Sequence, residues 1–391
     1  MIRSALDYAR YFAACLGSSE LRAVLAGQKR PLGVRTNVVA DVAMRALVEH
    51  LLRAQRHGND AGMGSYHLVN GWGASYPETT GYAIPTLLAV GEHLAWKAPM
   101  EAALRAAEWL LSVQRPDGGW QGGRVGEERP SIVFNTAQVI RGLLAAHAHS
   151  RNSDFLEAAV RAGDWIVSTQ DTDGSWRSSN FLGVARVYDS YVSAPMLHLH
   201  EVTGKPMYRN TAMKNLEWVL SRQRTNGWFM DADNTIKHND RPITHTMAYT
   251  IDGLLECHAR TGEQRFLEAA LQPARRLADL FLERGQLNGR YDRDWSGSEA
   301  SITTGSAQMA IVWYRAFDRT HEALFKDAAE RMIAWLAAVQ EISTLGPKDM
   351  HGAVTGSFPV WGRYEKFACP NWAQKYMADA FLCSKGILPS H

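Results

Sequence analysis

Five residues in this chain have the types and positions expected of an acid–base site. Glu78 and Asp189 are carboxylates at the starts of apolar helical segments, and Tyr82, His245 and Tyr249 lie within about a turn of similar starts. Two carboxylates about 5 to 10 Å apart can hydrolyse a glycosidic bond, one of them acting as the acid. Glu78 and Asp189 are therefore candidates for glycoside hydrolysis, with helix capping as the alternative role of Asp189.

The histidine and tyrosines suit a second chemistry, the removal of the C5 proton of a uronic acid. β-Elimination and C5 epimerisation need a base, often Tyr or His, an acid for a leaving oxygen, and groups that neutralise the sugar carboxylate. His245 precedes Tyr249 by one helical turn, and His67, in an earlier loop, is a second candidate base. A structural hydrogen bond is the alternative role of His245. The tyrosines expected nearby are Tyr82, Tyr188 and Tyr191.

Aromatic and basic residues are concentrated in the loops before these helix starts. Aromatic rings stack on sugar rings, and guanidinium groups bind carboxylates through paired hydrogen bonds. This pattern favours an anionic saccharide, and solvated loop arginines are the alternative interpretation. The candidate binding residues are His67, Trp72, Tyr76, Asn135, Gln138, Arg186, Tyr188, Tyr191, Arg241, Trp295, Thr303, Trp361, Arg363, Asn371, Trp372 and Lys375.

A repeated phrase indicates the elements that position these residues. Trp109 to Gln114 is followed by Asp117-Gly118-Gly119-Trp120, and similar phrases begin at Trp165 and Trp218, with weaker copies at Leu287 and Trp335. An amphipathic stretch precedes each phrase, which predicts a helix. The Asp/Asn-Gly pair can adopt the positive φ that ends the helix, and the tryptophan after it can pack back onto that helix. We therefore interpret Trp120, Trp176 and Trp228 as structural residues.

A second, more apolar helix follows each phrase, so the chain is predicted to form six helical hairpins. The first helices carry a charged face and are predicted to form an outer ring at residues 38–56, 99–114, 154–170, 206–223, 264–284 and 322–340. The second helices are predicted to begin at the capping residues Thr79, Asn135, Asp189, Thr246, Thr303 and Asn371. Seven residues further on lie the mostly small residues Thr86, Gly142, Met196, Gly253, Ala310 and Ala378, which suit helices crowded around an axis.

Six such pairs predict an all-α fold, a closed (α/α)6 toroid, with an open solenoid as the competing arrangement. Because the hairpins bury their faces against one another, residues 1–391 are predicted to form one domain, with a short helical extension at residues 1–30. Polar residues one turn into the second helices include Tyr82, Gln138, Tyr249, Ser306 and Gln374. They face either a central cavity or one another.

The Q-x-x-D-G-x-W phrase, clearest over residues 99–230, resembles the QW repeat of the terpenoid cyclase and protein prenyltransferase superfamily of α/α toroids. The resemblance implies the toroid fold, which six-hairpin glycosidases, sugar epimerases and several polysaccharide lyases share. The segment Ser75-Tyr76-Pro77-Glu78-Thr79-Thr80-Gly81-Tyr82 also resembles uncharacterised toroid proteins of bacterial polysaccharide gene clusters.

The chain departs from the cyclase pattern at the residues that would carry the chemistry. Neither D-x-D-D nor D-D-x-x-D is present, and the nearest string is Asp231-Ala232-Asp233-Asn234. Prenyltransferase zinc would need an Asp, Cys and His set, whereas Cys257 and His258 are adjacent on one helix and would point apart. We therefore expect neither a metal nor a cofactor.

The composition of the chain argues against further classes of function. The chain of 391 residues is 46% hydrophobic and 21% charged, with a net charge of +2. No basic run, transmembrane span or signal-like N-terminus is seen in the sequence, which favours a cytoplasmic protein that binds neither nucleic acid nor membrane. Four scattered cysteines indicate free, mostly buried thiols.

These features together predict a carbohydrate-active enzyme that acts on an anionic, uronic-acid-containing oligo- or polysaccharide. Its reaction would be β-elimination, C5 epimerisation or glycoside hydrolysis. The alternatives are an isoprenoid enzyme related to terpenoid cyclases or prenyltransferases, and a glycan-binding protein without turnover.

Overall fold

The computed structural model describes residues 2–28 and 39–387, with side chains from residue 5 onward. These residues form fourteen α-helices, of which α1 (Ile2–Gly17) and α2 (Ser19–Gly27) precede the repeats. The outer ring consists of α3 (Ala40–Gly58), α5 (Lys97–Ser112), α7 (Ser153–Ser168), α9 (Pro206–Leu220), α11 (Gln264–Arg284) and α13 (Ala323–Val339). The inner ring consists of α4 (Pro77–His93), α6 (Val133–Ser150), α8 (Ser190–Thr203), α10 (Thr244–Thr261), α12 (Thr303–Thr320) and α14 (Asn371–Ser384).

The inner ring is closed. Each inner helix packs against the next one along the chain, and the last, α14, packs against the first, α4. The inner helices are buried on nearly all sides, whereas the outer helices expose a charged face, as their sequences predict. The predicted all-α (α/α)6 toroid is therefore confirmed, and the open solenoid is not formed.

The repeated phrase ends each outer helix as predicted. Gly118 and Gly174 have φ angles of 92° and 88°, the left-handed conformation that turns the chain. The indole N–H of Trp120 donates to Leu110 O and that of Trp176 to Ile166 O, both at the end of the helix just completed. Both tryptophans are fully buried. They are structural residues, as interpreted from the sequence.

The glutamine of the phrase has a role that the sequence did not reveal. Gln114 Nε2 donates to Gly118 O within its own turn and, at 2.9 Å, to Ala158 O on the next outer helix. The same pair of hydrogen bonds, one to the turn and one to the neighbouring outer helix, recurs at Gln55, Gln170, Gln223 and Gln340. Gln340 reaches Ala43 on α3, so this interaction also joins the last outer helix to the first.

Small residues allow the inner helices to approach closely, as predicted. A Cβ at Gly142 would collide with the backbone carbonyl of Gly81 on α4. A Cβ at Gly253 would lie 2.6 Å from backbone atoms of Ser190 and Tyr191 on α8. These contacts hold the helix axes closer together than larger side chains would permit.

The predicted caps of the inner helices are wrong except for the position of Asp189. The N-cap residues are Tyr76, Ile132, Asp189, Ile243, Ile302 and Pro370, and none of their side chains makes a capping hydrogen bond. Instead, hydroxyls inside the first turn anchor the preceding loops. Thr80 Oγ1 accepts from Met63 N at 2.9 Å and Thr136 Oγ1 from Trp120 N at 3.0 Å.

The long loops before the inner helices lie together at one end of the toroid and are joined by short antiparallel strands. β1 (Tyr66–His67) pairs with β2 (Gly71–Trp72) and with β7 (Ala368–Cys369); β3 (Arg290–Tyr291) pairs with β4 (Gly297–Ser298), and β5 (Ser301–Ile302) with β6 (Ser357–Phe358). Helices α1 and α2 pack on these loops through a second small core that includes Phe12 and Phe367.

The four cysteines are free and buried, as predicted. In the described part of the chain, none of the helices is long and apolar enough to cross a membrane. The predicted extension at residues 1–30 contains α1 and α2, while residues 1, 29 and 30 lie outside the described residues. The single-domain organisation stays a prediction.

Candidate active site

A cavity of about 800 Å³ opens at the loop end of the toroid, where the inner helices begin. Its walls are the first turns of the inner helices and the loops before them. Nine of the residues proposed from the sequence line this cavity: Tyr76, Glu78, Tyr82, Asn135, Tyr188, His245, Tyr249, Arg363 and Trp372. The position of the cavity agrees with the expectation that the rim lies at the starts of the inner helices.

Glu78 is a buried carboxyl in the wall of this cavity. It is the second residue of α4, and only 9% of its surface is exposed. Burial raises its pKa to about 7, although a hydrogen bond with Tyr76 favours the charged form. Near pH 7, Glu78 is therefore present in both its acid and its carboxylate forms, a state suited to proton transfer.

His245 lies on α10 and is also buried at the cavity. Its Nδ1 is 2.6 Å from Gln308 Oε1 on α12, and burial lowers its pKa to about 4. Its ring packs against Tyr249, with 4.5 Å between ring centroids, and against Tyr364 at 5.6 Å. At neutral pH the imidazole is therefore uncharged and can accept a proton.

Tyrosines form much of the remaining wall. Burial raises the pKa of Tyr82 and Tyr249 well above the ordinary value, so these phenols stay neutral and can donate hydrogen bonds. Asn135 Nδ2 donates to the Tyr76 hydroxyl at 3.2 Å, and Trp372 Nε1 donates to the Tyr364 hydroxyl at 2.8 Å. The wall thus presents oriented neutral polar groups around the Glu78 carboxyl.

Asp189 does not line the cavity, unlike the role proposed for it. It is fully buried beneath the wall and accepts a 2.7 Å hydrogen bond from Asn180, which does line the cavity. Burial raises its pKa well above the ordinary value. Asp189 therefore supports the loop at residues 178–182 and is not the second carboxylate of a hydrolytic pair.

Five other proposed binding residues are engaged elsewhere in the loops. His67 Nδ1 accepts from the backbone of its own hairpin and its ring packs on Tyr11, while Trp72 packs between His50 and His57. The other three lie outside the cavity lining: Arg241 pairs with Asp292, Trp295 Nε1 donates to Asn226 O, and Trp361 packs on Phe12. None of these five contributes to the cavity wall.

The remaining six proposed binding residues form hydrogen bonds, ring contacts or ion pairs within the scaffold. Arg186 donates to two backbone carbonyls of the α9–α10 loop, Thr303 donates to Gly356 O, and Asn371 donates to Met63 O and Thr79 Oγ1. Gln138 donates to Tyr191 O, Tyr191 lies below Tyr249, and Lys375 pairs with Asp379. These six residues, and Gln374, therefore make their contacts within the scaffold and do not line the cavity.

Several cavity residues that lie far apart along the chain were not predicted from the sequence. Arg290, Glu299 and Glu365 line the mouth, together with the apolar Phe181. Glu299 bridges two of the rim arginines, with Oε2 3.3 Å from Arg290 Nε and Oε1 3.1 Å from Arg363 Nη1. Only the arginines carried a local signal, since they recur in these loops. The acidic partners meet them only through the tertiary fold.

Beneath the cavity lies a buried cluster of six charges, hereafter the ionic floor: Arg141, Asp252, Glu256, Arg315, Lys375 and Asp379. Arg141 Nη1 is 2.8 Å from Glu256 Oε2, and Arg315 Nη1 lies 2.8 Å from Glu256 Oε1 and 2.7 Å from Asp252 Oδ1. Lys375 pairs with Asp379 at 2.7 Å. Three cations balance three carboxylates, so the cluster is electrically neutral.

Among the described residues, no group of three or more His, Cys, Asp and Glu side chains is arranged to hold a metal ion.

Comparison with known proteins shows similarity in sequence to one group of proteins and similarity in structure to another. Residues 32–187 match a family model described as the squalene-hopene cyclase C-terminal domain. Squalene–hopene cyclase of Zymomonas mobilis is 28% identical over 156 residues, which is 37% of this chain and 21% of that protein. Dammaradiene synthase of Dryopteris crassirhizoma is 31% identical over 132 residues, 29% of this chain and 18% of that protein. The chain thus matches about a fifth of the length of these relatives.

Solved structures match over most of the chain. An unsaturated glucuronyl hydrolase specific for heparin has a TM-score of 0.70 at 13% identity and covers 90% of this chain and 99% of its own. The unsaturated glucuronyl hydrolase of Bacillus sp. GL1 has a TM-score of 0.68 at 15% identity, with 90% and 98% covered. A polysaccharide lyase has a TM-score of 0.64 at 12% identity, with 88% and 97% covered. The chain is therefore an α/α toroid with the overall fold of six-hairpin glycosidases, and its N-terminal part is similar in sequence to terpenoid cyclases.

Proposed function

We propose that this protein is an enzyme that breaks a glycosidic bond in an anionic saccharide, with Glu78 as the proton donor. The observation that carries the proposal is the buried carboxyl of Glu78, with a pKa near 7, in the wall of the 800 Å³ cavity. A protonated carboxyl at neutral pH is the group that glycosidic bond cleavage needs for its leaving oxygen.

Hydrolysis and β-elimination both include protonation of the leaving oxygen, and they differ in which carbon–oxygen bond breaks. In hydrolysis the C1–O bond breaks, Glu78 protonates the departing oxygen, and water adds its hydroxyl to C1 and returns its second proton to the Glu78 carboxylate. In β-elimination a base removes the C5 proton, the C4–O bond breaks and Glu78 again protonates the oxygen. Neutral His245 is the base available for the second reaction. C5 epimerisation, in which the proton is returned and no bond to oxygen breaks, is the competing outcome.

The choice of an anionic sugar is supported by the mouth of the cavity. Arg124, Arg129, Arg290 and Arg363 line it, and 78% of the Arg363 side chain is exposed. A guanidinium held on one side by Glu299 keeps donors for a sugar carboxylate on the other. Structural neighbours described as glucuronyl hydrolases are consistent with this substrate class. The cytoplasmic location expected from the sequence remains part of the proposal.

The test is incubation with a panel of uronic-acid oligosaccharides, saturated and unsaturated at the non-reducing end. Reducing-end release without a new double bond indicates hydrolysis, a new ultraviolet absorbance indicates elimination, and exchange of solvent deuterium into C5 without cleavage indicates epimerisation. Glu78→Gln should lower turnover by about 10²- to 10⁴-fold, the usual contribution of a positioned acid. Glu101→Gln, at an exposed position on α5, is the matched control and should leave turnover unchanged.

An isoprenoid enzyme is the second candidate, and the sequence match over residues 32–187 is the observation in its favour. Such an enzyme should have a deep cavity lined mainly by apolar groups, whereas the mouth here carries four arginines and three glutamates. Conversion of squalene or a prenyl diphosphate, with no action on any glycan, would favour it. Oligosaccharide binding by calorimetry without turnover of any panel member would instead favour a glycan-binding protein.

A further inference from the structure

One buried contact at the site joins a histidine to a residue of the neighbouring inner helix. His245 on α10 and Gln308 on α12 are 95% or more buried, and Nδ1 of the histidine is 2.6 Å from Oε1 of the glutamine. The two helices are in backbone contact at this level, since a Cβ on Gly305 would lie only 2.8 Å from His245 N. Gln308 follows Gly305 by one helical turn, so the close approach also fixes where the amide meets the imidazole.

The amide of Gln308 is otherwise poorly satisfied. Among the described residues, its Nε2 has no hydrogen-bond partner although the side chain is 1% exposed. A buried N–H group left unpaired destabilises the folded protein, and an apolar side chain at this position would avoid that cost. A glutamine here is therefore explained better by its single bond to His245 than by packing.

We infer that Gln308 is a positioning residue that holds His245 in the tautomer protonated at Nδ1, so that Nε2 carries the lone pair and accepts the substrate proton. A carbonyl oxygen can only accept a hydrogen bond, so the 2.6 Å contact places the imidazole hydrogen on Nδ1. This inference rests on the proposed function, in which His245 is the base.

None of the other groups that face the imidazole accounts for its orientation, so the positioning role is assigned to Gln308. They are the buried phenols Tyr249 on the same helix and Tyr376 on α14, and the partly buried Tyr364 from the α13–α14 loop. Among the described residues, no carboxylate forms a hydrogen bond or ion pair with His245 that could hold a second proton on the ring. Gln308 is thus the polar group that orients the histidine, as a carbonyl or carboxylate partner commonly does.

The first experiment measures the tautomer directly in the unmodified protein. With ¹⁵N-labelled histidine, long-range ¹H–¹⁵N correlation spectra should show Nδ1 of His245 in the range of a protonated nitrogen and Nε2 in the range of an unprotonated one. The peaks are assigned by their loss in His245→Asn. A spectrum with the proton on Nε2, or with an even mixture of the two tautomers, would overturn the inference.

The second experiment changes the partner. Gln308→Leu removes the acceptor, so the tautomers should mix and kcat should fall by about 10- to 100-fold with KM little changed. Gln308→Glu is nearly isosteric and should stabilise the imidazolium. Because the base must be unprotonated to work, the acidic limb of the kcat/KM profile should then move to higher pH. A profile that stays in place would count against the role of Gln308.

A matched control distinguishes this role from a loss of buried hydrogen bonds in general. Gln55 is a buried glutamine of the outer ring whose amide donates to Ala61 O and Ala102 O. Gln55→Leu should lower the melting temperature while the histidine spectrum and the pH profile stay as in the unmodified protein. The spectra also separate the two proposals, because a protein without glycan-cleaving activity can still show the Nδ1–H tautomer.

Discussion

Replacing Glu78 by glutamine should stabilise the folded protein above neutral pH even as it removes the proposed acid. Burial raises the Glu78 pKa from 4.5 to about 7. At 1.36 kcal/mol for each pKa unit, keeping this carboxylate ionised in the folded state costs about 3 kcal/mol. Glutamine has nearly the same shape and carries no charge, so it avoids this cost.

The sign of the effect depends on pH. Below pH 4.5 the carboxyl is protonated in both the folded and the unfolded chain, so the two proteins should unfold at similar temperatures. Between pH 4.5 and 7 the unfolded chain loses its proton first, and the unmodified protein loses stability relative to Glu78→Gln. Above pH 7 the difference reaches its full value. With an unfolding entropy near 0.8 kcal/mol/K for a chain of 391 residues, 3 kcal/mol raises the melting temperature by about 4 °C.

The assay is thermal unfolding by calorimetry at pH 4.5, 6 and 8, with Glu101→Gln as the exposed control. The control should follow the unmodified protein at every pH. Equal melting temperatures at pH 8 would show that Glu78 is not destabilised when charged, and would remove the main support for its role as an acid. A gain of the same size at all three values would assign the effect to packing instead of charge.

Further predictions concern the scaffold and the pH dependence of turnover. Arg141→Met removes one of the two arginines that bind Glu256 and leaves the buried ionic floor with an excess negative charge, so it should lower the unfolding free energy by about 3 to 5 kcal/mol; Arg331→Met, which breaks an exposed pair, should cost less than about 1 kcal/mol in the same denaturant titration. Gly142→Ala forces a Cβ against the α4 backbone and should cost about 1 to 3 kcal/mol by the same measurement, and a neutral result would contradict the described helix spacing. If Glu78 must be protonated to act, kcat/KM should decrease as pH rises through about 7, and an alkaline limb with no inflection near that value would argue against it.

The fold could be predicted from sequence because its signals are local and repeated. Positive-φ glycines such as Gly118, the buried Trp120 and the small Gly142 each serve the local role that their spacing suggests. The caps could not be predicted, because the hydroxyl of a predicted cap such as Thr79 accepts a hydrogen bond from Asn371, which is distant in the chain, and the helix begins after Tyr76 instead. That choice depends on contacts between residues far apart in the chain.

The candidate site could be predicted only in part, because its position follows from the ring of helices whereas several of its residues depend on contacts between distant parts of the chain. Residues in the first turns of the inner helices, such as Glu78 and His245, face the cavity because the ring places all these turns at one end. Glu299 and Glu365 reach the mouth through loops whose course has no periodic signal. Asp379 follows Lys375 by four residues, so their pairing could be predicted from helical spacing, whereas the direction of both side chains into the ionic floor depends on the tertiary structure.

The hydrogen bond from Gln340 to Ala43 makes the outer ring continuous from its last helix to its first. A linear repeat array can fray from its terminal units, each of which has a single neighbour, whereas every hairpin of this ring has two. Loss of any one hairpin would expose two apolar interfaces at once, so unfolding should be cooperative around the whole ring. The same geometry suggests tolerance to circular permutation: new ends could be opened in an exposed turn between hairpins, such as the one after Arg151, without leaving any hairpin at an end.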